Sequence, residues 1–516
     1  MPEFSAGQIG FYAQDKWAVT DNFDLTYGLR IDMPIMFDEP IQNAEFNVYA
    51  AQQGWDLKTN HKIAVEPMWS PRLGFRWDVL KNRNLIVRGG VGIFTGRVPY
   101  VWISNNFSNN GIAQFNYSTY STDGITVQYD ANKAGLADPT VNPTSPAQKS
   151  QTINVFDKNF KFSQQLRANL AADFKFLGID WTVEGIYSKT LNDMIVKNYD
   201  ITATGKTYAE QAGLAGFGDN RPMYETKTVP YTAIYVLDNV SKGYSYNLSV
   251  KAEKSFDFGL DLMASYTYGK SKTINNGSSS VAASNWQYNY THGDPNKPEL
   301  ANSNFNVPHQ VMVSAYQHIN WNKNPGRTID NKTTIGLIYT GNSGSPYSIY
   351  VNGDLNGDGG SNDLMYIPTD AEVDAMYEAN LFKATSAYTA EQQRDNFKQW
   401  LASEKYVKDH RGEYYERNAA NEDWENRLDL HIDHKFGFKW GKDIRYIQIG
   451  LDIINFTNML NKKWGATLSQ SGYNYYSPLT YSGGKYQFLR EGNFDMRSYS
   501  DYYSRWRMQL TAKLTF

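Results

Sequence analysis

The 516-residue chain has no cysteine, which removes disulfide scaffolds, thiolate metal sites, thiol catalysis and iron–sulfur chemistry together. It has no run of about 18 apolar residues, so a membrane-crossing helix is not expected. Its formal net charge is only -3, so the electrostatic footprint of a nucleic-acid partner is missing. The opening Met1-Pro-Glu-Phe-Ser5 lacks the charged, apolar and small-residue regions of a secretion signal. The seven histidines contain no His-Glu-x-x-His pair, and His431 and His434, three apart, fall on opposite faces of any strand. Gly90-Val-Gly92 with Gly96 imitates a nucleotide fingerprint but sits in a strand-like run with no helix after it. No catalytic residue and no catalytic cofactor is assigned, and an enzyme is not expected.

What the chain does have is aromatic residues, 15% of the total with 38 Tyr and 13 Trp, and strict alternation. Trp506, Met508, Leu510, Ala512, Leu514 and Phe516 alternate with Arg505, Arg507, Gln509, Thr511, Lys513 and Thr515. A period of two gives a strand one apolar and one polar face. The pattern recurs in segments of about ten residues. Phe23, Leu25, Tyr27, Leu29 and Ile31 share a face, as do Leu73, Phe75, Trp77 and Val79, and Leu166, Ala168, Leu170, Ala172 and Phe174. Leu428, Leu430, Ile432 and Phe436 form another such face, broken at His434. Weaker copies lie at 8–17, 85–95, 179–188, 245–254, 259–269, 309–318, 333–340 and 445–453, for about thirteen strands in all.

Short turns after 17, 79, 176, 254, 319 and 437 alternate with long loops at 33–70, 96–162, 190–243, 271–307, 342–423 and 457–503. Loops of that size are out of place inside one compact soluble domain. Short turns at one end and long loops at the other belong to an all-β, antiparallel transmembrane β-barrel with long extracellular loops. The mean hydropathy of -0.58 fits, because only every second strand residue meets lipid. Bacterial barrels have an even strand number, and thirteen is odd, so the expectation is that 1–516 is the C-terminal part of such a barrel, without its signal peptide.

Seven segments then carry a resemblance: FYAQDKWAVTDNFDLTYGLRID (11–32), SPRLGFRWDV (70–79), NLIVRGGVGIFTGRVPYVWISNNFSNNG (84–111), YTGNSGSPYS (339–348), HRGEYYERN (410–418), NRLDLHIDHKF (426–436) and LDIINFTNMLN (451–461). In this order they resemble TonB-dependent outer-membrane transporters of the SusC/Oar-like group of Bacteroidetes. The resemblance implies about thirteen C-terminal strands of a 22-stranded barrel, with the N-terminal plug and TonB box unmatched here. It implies an importer of a bulky nutrient, a glycan or a peptide, located in the bacterial outer membrane. Its partners would be outer-membrane lipid, the barrel-assembly machinery, and the TonB complex through an N-terminal part; a surface lipoprotein partner stays open. The terminal Trp506, Leu510, Leu514 and Phe516 resemble the signal that the assembly machinery reads. Readings of another class stay beside transport: an adhesive or structural anchor, a nonfunctional transporter fragment, or a passive porin.

Three loop regions are candidate sites. Trp102, Asn105 and Asn106, then Trp286 and Tyr288, then Tyr475 pair aromatic faces with amides, the chemistry that holds sugars and peptides. The bland reading of each is a rim aromatic or loop packing. Asp354, Asn356 and Asp358, followed by Gly359, Asn362 and Asp363, follow the opening of an EF-hand loop, which suggests a structural Ca2+. Met365 stands where that loop needs Glu, and a solvated Asn/Asp/Gly turn is the bland reading. Within 342–423 the segment 369–409 changes character to short helices, with Thr389-Ala-Glu-Gln392 as a helix start.

Overall fold

The computed structural model describes residues 3–97, 99–113, 151–227, 230–321, 331–469, 475–492, 494–495 and 497–515. Its wall is an antiparallel meander whose strands pair in chain order. They are β1 (Ala6–Thr20), β2 (Phe23–Met36), β3 (Met68–Asp78), β4 (Leu85–Thr95), β5 (Gln164–Phe176), β6 (Ile179–Asn198) and β7 (Gly243–Ser255). The path continues through β8 (Leu260–Thr273), β9 (His309–Asn320), β10 (Asn331–Asn342), β11 (Glu425–Trp440), β12 (Asp443–Ile454) and β13 (Arg507–Thr515). Among the described residues β1 pairs only with β2 and β13 only with β12, so the sheet is not closed. Among the described residues no helix is long and apolar enough to cross a membrane.

The register turns the alternation of each strand into continuous rows. Leu337, Leu430, Ile453 and Met508 lie side by side across β10 to β13, and Ile335, Ile432, Leu451 and Leu510 form the adjacent row. On the other half, Phe75, Gly89, Leu170, Gly185, Leu248 and Tyr268 are neighbours across β3 to β8. Many of these side chains are uncovered: Leu170 is 59% exposed, Leu248 55% and Leu510 75%. A contiguous apolar face of this extent would be untenable in water and is satisfied by hydrocarbon. Aromatics end the rows on both sides, with Trp17, Trp77, Trp181 and Trp440 towards the short turns and Tyr187, Tyr266 and Tyr339 towards the long connections.

The opposite face is charged. Arg88 bridges Asp173 (3.0 Å) and Glu184 (3.4 Å) across β4, β5 and β6. His431 contacts Asp452 at 2.6 Å and Asp433 at 3.1 Å, and His318 reaches Asp261 at 3.1 Å. His434, by contrast, lies among the apolar rows, where Thr333 and Asn331 hold its ring. Short turns close one end; in Leu177-Gly178 the φ values of 55° and 69° give the left-handed pair that a two-residue type I′ hairpin requires.

All long connections leave the other end, and there the structure departs from plain loops. They fold into a cap with strands and helices of its own. Gln151–Phe156 runs parallel to Tyr231–Val240, which also pairs with the outer half of β6. Pro346–Asn352 runs parallel to Tyr475–Ser482 within a four-stranded sheet. Helices Asp370–Glu378 and Ala390–Ser403 each start with a complete capping box, Thr369 with Glu372 and Thr389 with Gln392. Ile349, Met365, Phe397, Trp400, Tyr415 and Phe488, drawn from several connections, form its largest apolar core.

Candidate functional site

The cap fixes where each candidate residue goes. Trp102 and Asn105 lie on helix Tyr100–Ser108 and clamp the connection after β8. The Trp102 indole donates to the Ser279 carbonyl (2.6 Å), the Asn105 amide donates to the Ser280 carbonyl (2.9 Å), and Asn105 Oδ1 accepts from the Ala282 N–H (3.3 Å). Asn106 is buried with its Nδ2 unpartnered. Trp286 is buried against Tyr235, and its indole donates to Asn296 Oδ1 at 3.1 Å. Trp102, Asn105 and Trp286 hold cap segments together.

Tyr288 and Tyr475 go elsewhere. They line an open cavity of about 440 Å³ with Tyr290, Asn275, Asn289 and Arg417 among its other walls. Tyr475 and Tyr290 are tilted ring against ring, 5.0 Å between centroids, while Tyr288 remains 52% exposed. Burial pushes the Tyr290 hydroxyl well above its ordinary range, so it stays a neutral donor.

Arg417 and Asn418 are the site residues that sequence reasoning passed over. Arg417 is 3% exposed and donates to the carbonyls of Ile274 (2.7 Å) and Thr273 and to Asn289 Oδ1, while its Nε has no partner. No carboxylate pairs with it among the described residues, and burial lowers its pKa to about 10, only partly offset by Glu299. Asn418, at φ 56°, donates to the Asn302 carbonyl and Asn304 Oδ1 (2.9 and 2.8 Å) and ties Ser348 to the same wall. Their only signal in the sequence was an Arg-Asn pair ending a tyrosine-rich run. The cavity offers aromatic faces, amide donors and acceptors, and one buried cation, a set suited to a polar ligand.

The Asp354 loop lies deeper in the cap. Asn356, Asp358, Asn362 and Asp363 are all buried. Arg221, itself buried, joins Asp363 (3.0 Å) to Asp219 (2.9 Å). Burial, with the neighbouring Asp363 and Asp354 charges, raises Asp358 to about 7, and burial raises Asp363 to about 6 against the pull of Arg221. Among the described residues no three His, Asp or Glu side chains form a group that could hold a metal ion. Trp506, Leu510 and Leu514 sit at the exposed face of β13 and its entry, and Phe516 lies outside the described residues.

A meander with one lipid-compatible face, a charged reverse face and all long connections at one end is the wall of a membrane barrel. Comparison with known families agrees: the description "Outer membrane beta barrel domain" matches residues 1–473. The chain belongs to that family. This outer-membrane barrel domain therefore resides in the bacterial outer membrane. No curated protein matches it. Among solved structures it is similar to the ferric enterobactin receptor of Pseudomonas aeruginosa, with a TM-score of 0.40 and 11% identity over 88% of this chain and 40% of that one. It is also similar to the outer membrane transporter YddB of Escherichia coli, TM-score 0.41 and 11% identity over 88% of this chain and 41% of that one. The copper transporter OprC gives a TM-score of 0.38 and 7% identity over 88% and 42%. The barrel domain thus spans about two fifths of the length of these structures.

Proposed function

We propose that this barrel domain forms the wall and outer cap of a TonB-dependent importer of a bulky polar nutrient, a glycan or a peptide. The observation that carries the reading is the cavity at the long-connection end, where Tyr288, Tyr290 and Tyr475 meet Asn275, Asn289 and Arg417. Its 440 Å³ falls in the range of ligand pockets, about 300–1,000 Å³. Tyrosine faces suit the C–H faces of sugars and the planes of peptide bonds, and the amides suit their hydroxyls or backbone groups. The charged reverse face of the wall supports passage of polar cargo towards the short-turn end.

The test is calorimetric titration of the full chain in detergent with maltohexaose and, separately, with a neutral hexapeptide. Measurable binding by one of them, weakened about tenfold or more in a Tyr288→Ala/Tyr475→Ala variant, is the expected outcome (about 1.4 kcal/mol). Binding that ignores the double substitution would refute this cavity as the site, and binding of neither probe would refute the substrate class.

A further inference from the structure

In 354–362 the oxygen-bearing side chains Asp354, Asn356, Asp358 and Asn362 fall at the first, third, fifth and ninth positions, with Gly359 sixth. Gly359 has φ 84°, the left-handed turn that lets an oxygen-rich loop curl on itself. Spacing alone would equally describe a surface turn. Two observations made on the folded chain separate this loop from one.

The first is Asn362. Its side chain is fully buried, and neither Oδ1 nor Nδ2 has a hydrogen-bond partner. A buried amide left in that state loses its hydration without replacement. The amide lies near the loop's central carboxylate: the point where a Cβ on Gly360 would stand is 2.9 Å from Asp358 Oδ1 and 3.0 Å from Asn362 Nδ2. The second is Asp358, a carboxylate with 0% exposure and no cationic side chain paired to it among the described residues. It accepts only the Gly360 N–H (2.6 Å) and the Asn356 amide (3.2 Å). Asp363 differs, since the Arg221 guanidinium (3.0 Å) already supplies its counter-charge, whereas the Asp354 oxygens meet backbone N–H groups, at Gly357 and Gly359.

One group answers both the buried charge and the unpartnered Asn362 Oδ1: a hard divalent cation, which neutralises a carboxylate and uses amide oxygens as ligands. We propose that 354–362 binds one calcium ion through side-chain oxygens of Asp354, Asn356, Asp358 and Asn362. Two carboxylates and two amides make an amide-rich set, which is why no cluster of three acidic or imidazole side chains marks it. Calcium fits better than magnesium, which demands near-ideal octahedral geometry and sheds water reluctantly. The twelfth position is Met365, 0% exposed in the cap's apolar core, so no bidentate carboxylate closes the shell. The affinity therefore belongs to the weaker, extracellular class, on the order of 10⁻⁴–10⁻³ M. The ion would fasten the loop where the Asn356 carbonyl accepts the Tyr224 N–H (2.7 Å), joining two distant connections of the cap.

The experiment uses the full chain in detergent, stripped with EGTA and titrated with terbium(III), whose emission is excited through nearby tyrosines. Sensitised emission displaced by millimolar calcium, but not by equal magnesium, is expected for the wild type. Asp358→Asn, nearly isosteric, should abolish it, and Asn362→Ala should lower calcium affinity at least about tenfold. Both variants should melt without calcium close to the EGTA-treated wild type, which separates lost binding from lost fold. Absence of calcium-displaceable emission from the wild type would overturn the proposal. So would unchanged calcium affinity in either variant.

Discussion

Ser249 and Val250 stand at the centre of β7 on opposite faces of the wall, and this makes them the sharpest test of its orientation. Val250 lies between Val183 and Tyr266 in the apolar rows, while Ser249 lies between Glu184 and Thr267 on the charged face. Arginine at Val250 would place a guanidinium against the middle of the hydrocarbon, which costs about 2–4 kcal/mol at the midplane of a barrel. That corresponds to roughly a 30- to 700-fold loss in the folding equilibrium. Arginine at Ser249 sits one residue away, in water beside Glu184, where an exposed pair contributes about 0–1 kcal/mol. The assay is guanidinium unfolding of each variant in lipid vesicles, followed by tryptophan emission. Val250→Arg should shift the midpoint down strongly and Ser249→Arg should leave it nearly in place. Equal losses, or a larger loss at Ser249, would mean that the apolar rows do not face lipid.

Two further outcomes follow from the cap. Arg221→Met would leave Asp219 and Asp363 buried without their shared cation, and breaking such a pair costs about 3–5 kcal/mol; protease cleavage within the cap should accelerate accordingly, and an unchanged cleavage rate would contradict the account. Asp200 is buried with Oδ2 unpartnered, and burial raises its pKa to about 7, so the folded state keeps a proton that the unfolded chain releases near its ordinary value. Its contribution is therefore present in acid and lost as pH rises from about 4 to 7, on the order of 2–4 kcal/mol, and Asp200→Asn should flatten the urea midpoint between about pH 4 and 7. A slope unchanged by that substitution would sink the assignment.

The wall was legible because strand geometry forces its signature. Side chains alternate between faces, so a strand between lipid and water must alternate too. The runs 23–31, 166–174 and 428–436 lie inside β2, β5 and β11 for that reason. Helix Ala390–Ser403 was legible from its local cap, since Thr389 and Gln392 satisfy each other within one turn. The cap as a whole was not legible. Parallel pairing of Gln151–Phe156 with Tyr231–Val240 depends on contacts about eighty residues apart, which no local pattern records.

The aromatic candidates show the same division. Trp102, Trp286, Tyr288 and Tyr475 have similar chemistry in sequence, and only their neighbours decide what they do. Packing directs the first two into hydrogen bonds within the cap and leaves the last two facing an open cavity with Arg417. By itself, then, the sequence determined the antiparallel wall, its two unlike faces and the end from which the long connections leave, because those follow from a period of two and from turn length. The tertiary structure decided which polar groups meet: Arg221 with Asp363, Asn418 with Asn302, and Trp102 with the Ser279 carbonyl. Such meetings depend on connections folding onto one another, and the free energy of each is set by burial that exists only once they have.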